Sequence, residues 1–230
     1  MKNVLAVSGV ALPSLNGSFD TFILPRDGLL SLPVQSHADM IFTVFHSKIF
    51  FHRSYYETNT EAVEFISSYG GLEVCITDDE RDRKYPLDVS LNTLTVDNRL
   101  LCRKRSVSRM LRDYPIIDTN QGYAGCTALY AGGTVVTADA STISSCIQNG
   151  IPYFRISGDD ILLPGYDTGF IGGACGVYKD TVYIYGDPTC SRSGRELAEF
   201  CEGKGLALCS LNNGPVTDIG GIKFIEKKPE

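Results

Sequence analysis

The sequence predicts an α/β fold made of five strand–strand–helix–strand units closed into a ring. Three observations point there. The stretch Gln121–Asp139, QGYAGCTALYAGGTVVTAD, returns altered at Thr168–Asp187 as TGFIGGACGVYKDTVYIYGD, with Gly122-Tyr123 matched by Gly169-Phe170, a step of 47 residues. The order strand, strand, helix, strand can be read four times along the chain. A fifth unit begins at Val216–Ile225 and stops after one strand, while two N-terminal strands, Val4–Ser8 and Phe22–Leu24, belong to no other unit. If these complete the fifth unit, the ring closes and no sheet edge stays open between first and last units. The expected units are 37–84, 85–120, 121–167, 168–213, and 214–230 with 1–36, in one domain spanning 1–230.

Each unit has its own local signals. In the first, Met40–Phe45 and Lys48–His52 read as a hairpin around His46-Ser47. Thr58 with Glu61 forms a capping-box pattern, and Ala62, Phe65, Ile66 and Tyr69 share one helix face before Gly70-Gly71. Leu72–Ile76 is the closing strand. In the second, strands Val89–Thr95 and Leu100–Arg103 flank Asp97-Asn98. A helix face of Val107, Met110, Leu111 and Tyr114 follows, then the strand Pro115–Asp118. The third turns at Ala131-Gly132-Gly133, places Ile143, Cys146 and Ile147 on a helix ending at Gly150, and closes with Tyr153–Ile156. An additional segment, Ile161–Pro164, follows. The fourth turns at Lys179-Asp180. Ser193 and Glu196 form a second capping-box pattern, the helix buries Leu197, Phe200 and Cys201, and Leu206–Leu211 is its last strand. No such unit is stable alone, because each leaves a sheet face and a helix stripe apolar.

Composition narrows the partners. A chain that is 43% hydrophobic and 21% charged can bury a core. A formal charge of −6 without a basic run argues against nucleic acid and anionic membranes as partners, and Arg81, Arg83 and Lys84 form only a local basic patch. No apolar segment reaches the ~18–20 residues of a membrane span. The apolar N-terminal run is broken by Ser8 and Gly9 and reads as a strand rather than a leader, so the expected location is cytoplasmic. Eight cysteines without a CxxC pair or metal-ligand spacing read as reduced thiols, with no disulfide, zinc site or cofactor expected.

Five ββαβ units in a closed ring resemble the pentein, or α/β-propeller, superfamily. The strings HAD at 37–39, QGY at 121–123, GFIGGACG at 169–176 and DIGG at 218–221 resemble an uncharacterised bacterial family with this guanidino-modifying-enzyme fold. One branch of the superfamily comprises arginine deiminases, amidinotransferases and dimethylarginine hydrolases. Another comprises ribosome anti-association factors, which carry no catalysis. The resemblance implies that first strands line a central channel with a site at its mouth. It implies a cysteine nucleophile, a His-x-Asp pair, and carboxylates that hold a guanidinium.

Carried onto this chain, the resemblance makes His37, Cys126 and Cys175 the candidate catalytic residues. Asp39, Asp88, Asp218, Gly172 and Gly173 are the candidate substrate-binding residues. The chemistry is coherent: a thiolate attacks the guanidinium carbon, an imidazole moves the proton, and carboxylates pair with the planar cation. Read as a strand, His37 and Asp39 share a face. Asp39, Asp88 and Asp218 are read as corresponding starts of three units, and Cys126 and Cys175 as equivalent ends of two. Gly172, Gly173, Gly220 and Gly221 are read as places where backbone passes close to a neighbour or ligand. His46 and His52 are read as solvated hairpin residues.

The chain departs from the enzymes at two points. Their nucleophile lies on the first strand of the last unit, which here reads GPVTDIGG at 214–221 without cysteine. Cys209 precedes it and is expected to be buried. Their histidine lies in the third unit, whereas His37 lies in the first. Three functions fit: a cysteine-dependent hydrolase or transferase acting on a guanidino or amide-like small molecule, a silent ring that binds a cationic small molecule, or a protein- or ribosome-binding ring.

Overall fold

Four hairpins set the frame. Each has a two-residue loop whose first residue takes positive φ: His46 (55°), Asp97 (51°), Gly132 (52°) and Lys179 (53°). The computed structural model describes residues 2–228. Its elements begin with β1 (Val4–Ser8) and β2 (Asp20–Ile23), joined through a 3-10 turn at Pro13–Leu15. The first unit then runs α1 (Ala38–Ile41), β3 (Phe42–Phe45), β4 (Lys48–His52), α2 (Arg53–Thr58), α3 (Thr60–Gly70) and β5 (Glu73–Thr77). The second runs β6 (Leu94–Val96), β7 (Arg99–Cys102), a 3-10 turn at Arg109–Leu111, and β8 (Ile116–Asp118). The third runs α4 (Ala124–Thr127), β9 (Ala128–Ala131), β10 (Thr134–Thr137), α5 (Ala140–Gln148) and β11 (Tyr153–Arg155). The fourth runs α6 (Ile171–Ala174), β12 (Cys175–Tyr178), β13 (Thr181–Ile184), α7 (Arg192–Lys204) and β14 (Ala207–Ser210), and β15 (Lys223–Glu226) opens the fifth.

These strands form five three-stranded sheets. In every unit the central strand pairs antiparallel with the one before it and parallel with the one after, as in Phe42↔Phe51 and Phe51↔Ile76 of the first. The fifth sheet joins both ends of the chain: β1 pairs antiparallel with β15 (Leu5↔Ile225) and parallel with β2 (Ala6↔Thr21). The expected completion of the fifth unit by the N-terminal strands is therefore present. The five innermost strands, β3, β6, β9, β12 and β15, all contribute to one pocket of about 240 Å³ on the ring axis. Apolar clusters fill the space between neighbouring sheets and their helices. Among the described residues, no helix is long and apolar enough to cross a membrane.

Several local expectations are corrected. The second unit has a 3-10 turn where a helix was expected, with Met110 exposed. Five basic residues (Arg103, Lys104, Arg105, Arg109, Arg112) crowd that segment, and like charges three or four apart oppose a helix. Between β1 and β2 the fifth unit likewise has the 3-10 turn Pro13–Leu15 in place of a helix, and a second such turn, Leu32–Val34, follows β2. Neither capping box forms. Thr58 ends α2 and Asn59 is the N-cap of α3. Ser191 caps α7, while Glu196 accepts from Ser157 instead of closing back on the cap. Phe65 and Ile147 face solvent, because helix burial shifts to Val63 and Ser67 in α3 and to Thr142 and Ser145 in α5. Segments 89–93 and 216–222 lie outside any strand; only Thr217 makes an isolated bridge, to Leu162. Met40 and Ile41 belong to the one-turn helix α1 rather than to the strand. His52 is buried, with its ring nitrogens bonded to Ser54 Oγ and the Asp79 carbonyl. Arg81 is no surface patch residue; it is buried against Asp27, Nη2–Oδ2 2.8 Å.

Candidate functional site

A one-turn helix precedes the inner strand in the first, third and fourth units: α1, α4 and α6. The residue capping each turn is His37, Tyr123 and Phe170 respectively, and all three line a second pocket of about 160 Å³. Asp88, at the start of the second unit, and Asp218, from the fifth, also line it. The pocket is thus assembled from all five units. Tyr123 and Phe170 lie nearly parallel, with ring centroids 6.5 Å apart and planes at 24°. Met40, Cys126, Leu163 and Tyr166 complete much of the wall.

The polar groups in and directly behind this pocket are crowded and short of partners; Asp39 lies behind His37 and does not line it. His37 Nδ1 lies 3.7 Å from Asp218 Oδ1 and 4.0 Å from Asp39 Oδ1. The pair His37 and Asp39 therefore meets, but as a helix cap and a turn residue rather than as two positions of one strand. Asp218 accepts from the Phe170 N–H (2.9 Å) and the Gly220 N–H (2.9 Å). Burial, reinforced by the neighbouring Asp39 carboxylate, pushes Asp218 up to about 7, so this carboxyl keeps its proton to a much higher pH than a free one. Burial pulls His37 below its ordinary value, with Asp39 opposing, and keeps the imidazole neutral. Both oxygens of Asp39 and Oδ1 of Asp88 are buried without a hydrogen-bond partner. Asp88 Oδ2 accepts from Tyr123 OH at 2.7 Å. Burial raises Asp88 despite that bond and the attraction of Arg81.

The expected convergence of three carboxylates is met in part. Asp39 and Asp218 interact directly, whereas Asp88 stands on the wall held by Tyr123. The three are not register equivalents: Asp39 is the second residue of its turn, and Asp218 lies outside any strand or helix.

The two cysteines separate. Cys126 is the third residue of α4 and lines the pocket. Its register equivalent in α6 is Gly173, not Cys175. Cys175 opens β12, lines the axial pocket instead, and is packed in an apolar cluster with Val182, Ile184 and Cys201. Burial holds both thiols well above their ordinary range, Cys126 further opposed by Asp39 and Asp218, Cys175 by Cys201 and Asp218. Neither is a preformed thiolate.

Gly172 and Gly173 do not line the His37 pocket. A Cβ on Gly172 would collide with the carbonyl oxygens of Cys126 and Ala128, and one on Gly173 with the Asp218 carboxylate. Gly172 therefore serves unit-to-unit packing, and Gly173 makes room for Asp218. At Gly220, which has φ of 79°, a Cβ would collide with His37.

Sequence reasoning missed Asn92. Its buried amide Nδ2 donates to the Asp39 carbonyl (3.0 Å), Met40 Sδ (3.2 Å) and Cys126 Sγ (3.0 Å), while Oδ1 accepts from the Gly125 N–H (2.7 Å). One side chain thereby fixes the α1 and α4 turns to each other. Tyr123 and Phe170 were also missed as walls, although both sit in the repeated Gly-aromatic step. Among the described residues, no group of three or more His, Cys, Asp or Glu is arranged to hold a metal ion.

The profile of a family described as "Family of unknown function (DUF6873)" matches residues 15–223. No curated protein matches the sequence. Among solved structures the chain is similar to DDAH from Pseudomonas aeruginosa, a cysteine-to-serine mutant complexed with citrulline. That likeness has 10% identity and a TM-score of 0.59 over 98% of each chain. It is also similar to the agmatine deiminase of C. jejuni, at 8% identity and a TM-score of 0.52, over 98% of this chain and 82% of that one. These likenesses carry the fold alone, and the fold is the pentein ring expected from the repeats.

Proposed function

The chain belongs to that family of unknown function, and we propose that its pocket binds a planar organic cation, a guanidinium or amidinium group. The observation behind this reading is the buried carboxylate pair that lines the pocket, Asp88, whose Oδ1 has no hydrogen-bond partner, and Asp218, with the Asp39 carboxylate behind His37 adding negative charge. An unpaired buried acceptor is costly, and an entering N–H-rich cation would satisfy Asp88 Oδ1 and offset the combined charge of Asp39 and Asp218. The flat faces of Tyr123 and Phe170 suit a planar group, and their π-systems favour a cation. A bound cation would also lower Asp218 from about 7 and so release a proton near neutrality.

Calorimetric titration with agmatine, arginine and the neutral urea isostere citrulline tests the reading. The cations should bind, with a heat that depends on buffer ionisation, and citrulline should not. Equal binding of all three, or none, ends the idea.

A second reading makes the ring catalytic through Cys126. Cys126 is the thiol on the pocket wall, and Asn92 Nδ2 donates to its sulfur. His37 and Cys126 stand two units apart, in the first and third. In the enzymes that the sequence resembles, histidine and cysteine stand in the third and last units, also two apart. Under this reading Cys126→Ser binds the cation and loses turnover of a guanidino compound. Turnover that survives the substitution removes Cys126 from the chemistry.

A further inference from the structure

The pocket has the shape of a slot. Tyr123 and Phe170 form two of its walls, nearly parallel, with ring centroids 6.5 Å apart and planes at 24°. That gap is about twice the ~3.4 Å step between stacked bases, so one planar ring system between the walls would stack on both. At about 160 Å³ the slot falls below the ~300–1,000 Å³ that encloses a drug-sized ligand. It takes a flat head group and leaves the rest of the ligand outside.

Each wall is tied to a carboxylate. Tyr123 OH donates to Asp88 Oδ2 (2.7 Å), and the Phe170 N–H donates to Asp218 Oδ2 (2.9 Å). Asp88 Oδ1 has no partner. Both carboxylates line the same pocket, so a planar group between the rings meets acceptors at its edge. A bare guanidinium would cover only part of two facing rings. A guanine base covers more of both, and its N1–H with the exocyclic amine is a guanidine edge that a carboxylate accepts bidentately. An alkyl group at N7 makes that base a cation, which a negative pocket with two π-faces favours.

A second feature lies one ring outside the slot. Tyr85 packs on Tyr123 with centroids 5.7 Å apart, in a place that exists because residue 122 is glycine: a Cβ there would collide with the Tyr85 ring. The Arg103 guanidinium lies over Tyr85, 5.4 Å from its centroid, and Nη1 donates to Tyr85 OH. Arg103 Nε is buried without a partner. Arg103 opens the segment RKRSVSRMLR, which holds five basic residues and no acid in a chain of formal charge −6. Asp79 pairs with Arg109 (3.3 Å), and Asp118 accepts from the Lys104 N–H (2.9 Å). Among the described residues, Arg103, Lys104 and Arg105 make no salt bridge. The segment is also held in shape. The Ser106 and Val107 N–H groups donate to the Arg103 carbonyl (2.9 and 3.0 Å), and the Ser108 N–H to the Ser90 carbonyl (2.8 Å). An ordered cationic patch without acidic partners, one ring away from a slot of this width, matches a phosphate.

We propose that the planar cation of this pocket is an N7-alkylated guanine carried by a nucleotide, with its base between Tyr123 and Phe170, its guanidine edge on Asp88 and Asp218, and its phosphate on Arg103. This inference rests on the cation-pocket reading above. The slot supplies stacking and charge, and the patch beyond Tyr85 supplies the contact that a free small cation does not use.

Calorimetric titration of the full chain with 7-methyl-GMP, GMP, 7-methylguanosine and methylguanidine tests it. 7-Methyl-GMP should bind at least about tenfold more tightly than GMP, which lacks the positive charge, and than 7-methylguanosine, which lacks the phosphate; tenfold is ~1.4 kcal/mol. Arg103→Gln should bring 7-methyl-GMP down to the affinity of 7-methylguanosine and leave methylguanidine unchanged, since Arg103 does not line the pocket. Methylguanidine binding without 7-methyl-GMP binding overturns the inference and spares the cation pocket. Equal affinity for 7-methyl-GMP and GMP, or for 7-methyl-GMP and 7-methylguanosine, also overturns it, as does an unchanged affinity in Arg103→Gln. A five-nucleotide RNA with one internal 7-methylguanosine should bind no more tightly than 7-methyl-GMP, because a chain of charge −6 opposes a polyanion. Tighter RNA binding reassigns the slot to nucleic acid and overturns the free nucleotide. Failure of both methylguanidine and 7-methyl-GMP to bind removes the cation pocket itself.

Discussion

In the third unit the turn Ala124–Thr127 carries Cys126 at its third position, and in the fourth the turn Ile171–Ala174 carries Gly173 there. Both turns precede an inner strand and follow an aromatic cap that lines the same pocket. Cys126 fills its position with a sulfur that accepts from Asn92 of the second unit. Gly173 leaves its position empty, and the Asp218 carboxylate of the fifth unit occupies the space. The cysteine that the eye pairs with Cys126 falls two places later, at Cys175, among apolar side chains. Two copies of one stretch thus serve one pocket in different ways. What a position does in this ring depends on which side chain the neighbouring unit brings to it.

The largest expected effect tests that difference at its source. Gly173→Ala puts a Cβ into the Asp218 carboxylate, so it should cost about 3 kcal/mol or more by urea unfolding, at the top of the overpacking range. Cys126→Ala, at the matching position, removes one buried sulfur and should cost about 1 kcal/mol. Equal losses would mean that the two positions do not differ as described.

Next in size is Asp39→Asn. Removing the neighbouring charge should lower Asp218 from about 7 and weaken agmatine binding by roughly tenfold or more, read by titration across pH. An unchanged pH profile would separate the two carboxylates.

Stability against pH gives a smaller signal. Asp218 is raised in the folded chain from its ordinary 3.8 to about 7. The folded state therefore holds more protons between those values. The stabilisation from this group is fully present below about pH 4 and is lost as pH rises through about 7. His37, lowered by burial, slopes the other way, its contribution being lost as pH falls below the ordinary 6.5. Asp218→Asn should remove the decline between pH 6.5 and 8, followed by thermal unfolding. A decline that persists would assign it to another group.

The smallest effect concerns the thiols. Both Cys126 and Cys175 should alkylate slowly at pH 8, because burial keeps them protonated. Agmatine should change the rate at Cys126, beside the pocket, by less than about tenfold and leave Cys175 unaltered, as read by mass spectrometry of the labelled peptides. A change at Cys175 alone would reverse the comparison.

The ring was legible in the chain because its signals are local. A two-residue loop such as Asp97-Asn98 fixes a hairpin, a short apolar run such as Val4–Ser8 marks a buried strand, and the 47-residue echo of Gly122-Tyr123 at Gly169-Phe170 fixes the repeat. The incomplete fifth unit also told where Val4–Ser8 must go, since an unpaired inner strand needs a partner. Helix faces were less legible: Phe65, Met110 and Ile147 follow the right period, yet they face solvent, because packing against neighbouring sheets selects the buried stripe.

Of the site, the sequence by itself determined a short list, His37, Asp39, Asp88, Cys126, Cys175, Asp218, Gly172 and Gly173, through motif resemblance and unit starts. Only tertiary structure decided which of them meet. His37 and Asp218 are 181 positions apart in the chain and 3.7 Å apart in the ring. Cys175 was turned away by a two-residue shift in register that places it on the strand rather than in the turn. Asn92, which joins the first, second and third units, carries no local signal at all. The position of Asp218 near 7 likewise belongs to no residue alone. It arises because the closed ring buries two carboxylates side by side, and that burial exists only once every unit is in place.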